Sequence, residues 1–170
     1  DKVREAIGGT WLTQLVIVIM FIFVAFLALS INYSKAFRVK NEVLSIIEKK
    51  EGITQINNAN GSIFLINKFL ANNGYNTVGK CEVGSYGFLI NNVTATLIDN
   101  SNKNNKYNYC ISKTKSITTN FPNRSYYKVK LFFKFNLPIV GDVYTFKVDG
   151  ETKDITFPKD GTCGANDSIK

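Results

Sequence analysis

The stretch "GGTWLTQLVIVIMFIFVAFLALSINYSKAFRVK", Gly8 to Lys40, decides the fold. Leu15 to Ile31 is apolar at every position but Ser30, and nothing from Ala6 to Ser34 is charged. At about 1.5 Å rise per residue, Thr10 to Ser34 makes roughly 37 Å of helix. A hydrocarbon core about 30 Å thick needs ~20 such residues. The run therefore predicts a transmembrane helix over 10–34, preceded by a hydrophilic leader or cytoplasmic tail over 1–9. Ala28-Leu29-Ser30 imitates a signal cleavage site, but a cleaved signal has a shorter apolar core, and the sequence beyond it reads as continuing helix.

Working outward, no Gly or Pro occurs between Ser34 and Gly52. Ala36, Val39, Val43, Ile46 and Ile47 recur at helical spacing, while Lys35, Arg38, Glu42, Lys49 and Lys50 take the other face. The span is expected to run on as an amphipathic stalk over 35–52, with Gly52 as its C-terminal stop. Residues 53–170 then read as an α+β domain. Ser62 is the expected N-cap of a short second helix that stops at Asn73-Gly74.

From Tyr86 the period changes to that of strands. "YGFLINNVTATLID" is strand-like, and the polar loop "DNSNKNNKYNYC" leads into a strand near Tyr107–Lys113. In "YYKVKLFFKFNLP", Tyr127, Val129, Leu131, Phe133 and Phe135 point one way and Lys128, Lys130 and Lys134 the other. Pro138 closes it. "DVYTFKV", a turn at Asp149-Gly150 and "TKDITFP" read as a last hairpin. Three or four antiparallel strands with one apolar face need a cover, and the stalk and short helix supply it. The lysine stripe reads as a solvated outer face.

The 170-residue chain carries a formal net charge of +8 and no His. Asp1, Lys2, Arg4 and Glu5 cancel, so the whole excess lies after the apolar run, and its natural partners are polyanions. Lys2 and Arg4 precede the span while Lys35, Arg38 and Lys40 follow it. That count opposes a cytoplasmic N-terminus, whereas a disulfide-bearing sheet domain argues for an outside location.

Cys81, Cys110 and Cys163 lack CxxC spacing, and without His the usual zinc sets are missing. Cys81–Cys110 is the favoured disulfide, because each lies at the edge of an expected strand. Closing that loop stabilises by about 3 kcal/mol in the chain-entropy model. Cys163 is the alternative partner, and three reduced thiols in a cytosolic domain are the remaining possibility. No phosphate loop, GxSxG elbow or calcium-loop spacing occurs. No enzyme constellation, metal site or cofactor is expected, and no specific nucleic-acid reader is present.

The layout resembles pilin-like proteins, in particular the TadE-like group associated with tight-adherence (Flp-type) pili. The matching features are Gly8-Gly9 directly before "TWLTQLVIVIMFIFVAFLALS", the charge-free helix entering an amphipathic stalk, and the C-terminal "YYKVKLFFKFNLPIVGDVYTFKVDGET". The resemblance implies a leader cut after Gly9 by a prepilin-type peptidase, with Thr10 as the new N-terminus. Pilins usually carry Glu at the fifth mature position, where this chain has Gln14. Gln hydrogen-bonds but offers no charge pair, which suits a minor or assembly subunit, or an uncleaved membrane component. Gly8-Gly9 also reads simply as a break in the chain before a span.

The expected partners are then membrane lipid and other pilin-like subunits or assembly-platform proteins. The expected location is the cell membrane, single-pass, with the C-terminal domain outside or in an extracellular filament. The alternative function is a membrane-anchored basic ectodomain that holds an anionic wall polymer or DNA.

Overall fold

A computed structural model describes residues 2–53, 60–115, 124–137, 141–156 and Ile169, except the side chains of 2–8, 135–137 and 141–144. Pro138 and Cys163 lie outside the described residues.

Helix α1 spans Lys2–Lys49, 48 residues, about 72 Å at the usual rise. It passes through the expected 34/35 boundary without interruption, but its two halves differ. Along the second half Ala36, Val39, Val43 and Ile47 are buried, a stripe at helical spacing. The helix ends with Glu51 N–H donating to the Glu48 carbonyl (3.1 Å) and Gly52 N–H to the Ile47 carbonyl (3.0 Å). These two bonds make a Schellman motif. The left-handed position falls on Glu51 (φ 54), one residue before the glycine expected to stop the helix, and Gly52 takes φ 123. Helix α2, Ser62–Asn72, is capped by Gly61 rather than Ser62, without a side-chain cap bond. It closes on Gly74 (φ 71) as expected.

The strands are β1 (Gly79–Lys80), β2 (Tyr86–Leu89), β3 (Asn92–Leu97), β4 (Lys106–Tyr107), β5 (Tyr109–Lys115), β6 (Arg124–Leu137), β7 (Gly141–Glu151) and β8 (Ile155–Thr156). The main sheet has six strands in the order β3-β2-β5-β6-β7, with β8 also on β6; β1 and β4 form a separate pair. All pairings are antiparallel. The architecture is thus α+β, a long apolar N-terminal helix packed on a C-terminal antiparallel sheet. The segment read as one strand near Tyr86 is the β2–β3 hairpin, closing at the Leu89–Asn92 pair.

The expected turn at Asp149-Gly150 does not form. Asp149 and Gly150 lie inside β7, opposite Lys130 and Val129. β8 then pairs with Arg124 and Ser125 of β6, further along the same edge. Thr152 bridges the gap, exchanging hydrogen bonds of 2.9 Å with Tyr127 through its N–H and Oγ1. The reason lies above the sheet, where a Cβ on Gly150 would stand 2.9 Å from both Leu44 Cδ1 and Lys40 Cδ. This glycine serves close approach of the helix, not reversal of the chain.

The main core fills the space between α1, α2 and the inner sheet face, with Tyr127, Val129, Leu131 and Phe133 of β6 all buried. Phe88 stacks on Tyr109 at 5.1 Å. A buried polar bridge ties α2 to the sheet: Tyr109 OH donates to Asn67 Oδ1 (2.7 Å), and Asn67 Nδ2 donates to the carbonyls of Asn92 (3.1 Å) and Leu89 (3.4 Å). The outer face is not purely solvated. Cys81, Ile98, Tyr107, Cys110 and Phe132 form a second buried cluster there.

Candidate functional site

Two surfaces are candidates, the apolar half of α1 and the outer face of the sheet. Every residue from Thr10 to Val24 is exposed, and among the described residues large side chains such as Trp11 (71 %), Ile22 (64 %) and Phe26 (66 %) stand uncovered. Among the described residues this is the one helix long and apolar enough to cross a membrane. Water does not stabilise so continuous an apolar surface. The first half of α1 is therefore a surface made for another apolar environment.

At its start the helix runs through Gly8 and Gly9 without a break, which corrects the reading of that pair as a chain interruption. Thr13 Oγ1 donates to the Gly9 carbonyl at 2.9 Å, a back-bond that satisfies the hydroxyl within the helix. Thr10 and Gln14 are exposed, and Gln14 shares a shallow surface groove with Trp11, Leu15, Val18 and Ile19. The bond between Gly9 and Thr10 is thus helical, and a peptidase that reads extended backbone has to unwind it first. Two adjacent glycines lower that cost by about 1 kcal/mol each relative to alanine.

The junction of the two halves carries an aromatic ladder. Tyr33 stacks on Phe146 (6.0 Å), Phe146 on Phe133 (5.5 Å), and Phe133 meets Tyr75 edge-on (5.2 Å). Tyr33 also contacts Phe37 at 4.9 Å, and the Lys40 ammonium sits 4.7 Å from the Phe37 ring centre. This ladder runs from the end of the apolar helix into the core of the domain. It holds the direction of α1 with respect to the sheet.

On the outer face, Glu82, Ser85, Ser112, Lys128, Lys130 and Glu151 surround a depression of about 210 Å³. Lys128 pairs with Glu151 at 3.1 Å and Lys130 with Glu82. The hydrogen bond and charge of Lys130 pull the Glu82 carboxyl below its usual range, while the bond from Glu151 raises Lys128. Lys128 and Lys130 of the stripe are therefore matched by carboxylates from neighbouring segments. Lys134 stands opposite Thr145 in the register.

Cys81 and Cys110 form a disulfide with Cα atoms 5.7 Å apart, closing a separation of 29 residues. It lies within the second cluster, which also holds Phe132. Sequence reading passed over Phe132 and the two glycines that admit the cluster's rings. A Cβ on Gly79 would lie 2.3 Å from Phe132 Cδ1, and one on Gly87 would lie 2.5 Å from Tyr107 Cγ. The available signal was the Phe132-Phe133 doublet, since two adjacent large apolar residues in a strand demand cover on both faces. Among the described residues no three His, Cys, Asp or Glu side chains gather as a metal site requires. Comparison of the chain with protein-family models, with curated proteins and with solved structures gives no match.

Proposed function

We propose that this chain is a pilin-like, single-span subunit of a bacterial surface filament of the tight-adherence (type IV-like) kind, or of its assembly. It acts by helix packing and protein–protein contacts. The observation that carries the reading is the division of α1. Its second half is buried on its own sheet, while its first half is apolar, uncovered and held in line by the aromatic ladder. Such a helix serves equally to hold the subunit in lipid and to pack beside the helices of other copies.

Gly9 and Thr10 are the expected processing residues, and Gln14 is the position that distinguishes a helper from a main filament subunit. The TadE-like resemblance rests on the residues quoted above and extends to the membrane location, with the domain outside. The reading of a basic ectodomain for wall polymer or DNA draws less support, because Lys128 and Lys130 face Glu151 and Glu82. The decisive experiment is the mass of the N-terminus isolated from native membranes. A start at Thr10 supports processing. An intact leader, together with unchanged filaments after gene deletion, would falsify the filament role.

A further inference from the structure

The C-terminal end of the apolar run is charged in one sense only. No acidic residue occurs between Glu5 and Glu42, and Lys35, Arg38 and Lys40 follow Ser34 within six positions. Lys35 and Arg38 are exposed and Lys40 is half-buried. Among the described residues no carboxylate stands within ion-pair distance of any of the three, unlike Lys128 and Lys130 on the sheet. Cations this close repel one another unless a counter-charge lies among them.

Their height and direction fit one kind of counter-charge. From Lys35 to Lys40 the helix rises about 7.5 Å, and a polar headgroup layer adds about 5–8 Å on each side of the hydrocarbon. Side chains on a helix lean towards its N-terminus, which here is towards the apolar run. Lys40 turns the same way. Its stem lies against Gly150, and its ammonium sits 4.7 Å from the centre of the Phe37 ring. Phe37 is about 4.5 Å nearer the run along the helix axis. Tyr33, two residues before Lys35, is exposed as well, and tyrosine is a residue of the membrane–water interface.

The geometry points to a headgroup collar: Lys35, Arg38 and Lys40 hold the phosphates of anionic phospholipids around the C-terminal end of the apolar half of α1. The inference rests on the membrane reading of that half and names the lipid class that it takes. Lys35 and Arg38 occupy the face away from the buried stripe, while Lys40 borders β7 at Gly150. The collar therefore meets lipid on two sides of the helix. The stacking of Tyr33 on Phe146 passes its hold to the sheet, which sets the height of the domain above the bilayer.

The test reconstitutes the full-length chain into phosphatidylcholine vesicles that contain a minor share of phosphatidylglycerol. Spin-labelled lipids read the preference of protein-bound lipid for each headgroup. The parent chain is expected to prefer phosphatidylglycerol by about fivefold or more, and to lose that preference in high salt. The triple variant Lys35→Gln, Arg38→Gln, Lys40→Met is expected to show none; methionine at position 40 keeps the stem over Gly150. The triple variant Lys68→Gln, Lys103→Gln, Lys106→Gln removes the same charge from other elements and is expected to keep the preference. Retention of the Cys81–Cys110 disulfide on a non-reducing gel reports folding of both. The collar is overturned by an unchanged preference in the first variant or an equal loss in the second. It is also overturned if inorganic phosphate abolishes the preference where sodium chloride of equal ionic strength does not. A chain that enters vesicles of neither lipid overturns the membrane reading with it.

Discussion

At the residue scale, the end of α1 shows how a local preference yields to packing. Gly52 is the natural stop in the sequence, yet the left-handed position is taken by Glu51. The glycine is instead spent on contact, since a Cβ there would lie 2.7 Å from the Tyr127 hydroxyl. Glu51 is exposed, so its side chain contributes little that glycine lacks. Glu51→Gly is expected to raise stability by about 1 kcal/mol, the cost of a left-handed L-residue. Gly52→Ala is expected to lower it by about 2 kcal/mol or more through backbone strain and the tyrosine clash. Chemical denaturation of the two variants beside the parent chain reads both, and equal midpoints would refute the assignment.

Tyr109 gives the residue scale its pH dependence. Burial pushes its phenol well above the usual 10.0, and burial also raises Tyr75. Above pH 10 the unfolded chain loses protons that the folded chain keeps, so stability falls as pH rises. The contribution is complete below the unfolded value and is lost on the way up through the folded one. Tyr109→Phe should make the alkaline limb of a stability-against-pH curve shallower. At neutral pH the same change should cost about 1–2 kcal/mol, because Asn67 Oδ1 loses its donor.

At the element scale, one helix has two energetic characters. Ile47 is fully buried in the main core, whereas Ile22 is 64 % exposed. Ile47→Ala is expected to destabilise the folded domain by about 2–4 kcal/mol. Ile22→Ala should leave domain unfolding unchanged, since Ile22 stands exposed among the described residues. Denaturant unfolding of the detergent-solubilised chain distinguishes them, and a similar loss for both would mean that the apolar half packs on its own domain.

Most of the elements were legible from periodicity, because a helix face and a strand face are properties of neighbouring residues. The stalk stripe Ala36, Val39, Val43 and Ile47, and the alternation Tyr127, Val129, Leu131 and Phe133, appear in the structure as they read in the sequence. The Cys81–Cys110 bridge joins the loop ends that the strand edges suggested. The Asp149-Gly150 turn was misread for a physical reason. A two-residue turn preference is weak beside a ladder of backbone bonds to β6 and a helix that needs a residue without a Cβ above it.

At the scale of the whole molecule, the apolar half of α1 is an appendage to a domain with its own core. A fragment covering 35–170 retains every α1 residue of that core from Ala36 onward. It loses the contact of Tyr33 with Phe146. The fragment is expected to stay soluble without detergent and to unfold in one cooperative transition. Aggregation at low concentration, or a non-cooperative melt by circular dichroism, would count against an independent core.

By itself the sequence determined the length and charge-free character of the apolar run, the helical stripe that follows it, and the α+β class. These follow from composition and periodicity, which involve residues close together in the chain. Only the tertiary structure decided that β8 returns to β6 and that Phe132 and the disulfide build a second core. A strand's hydrogen-bond partner and a helix's angle on a sheet depend on segments tens of residues away. Local preferences of about 1 kcal/mol give way when many backbone bonds and a packed core require another arrangement.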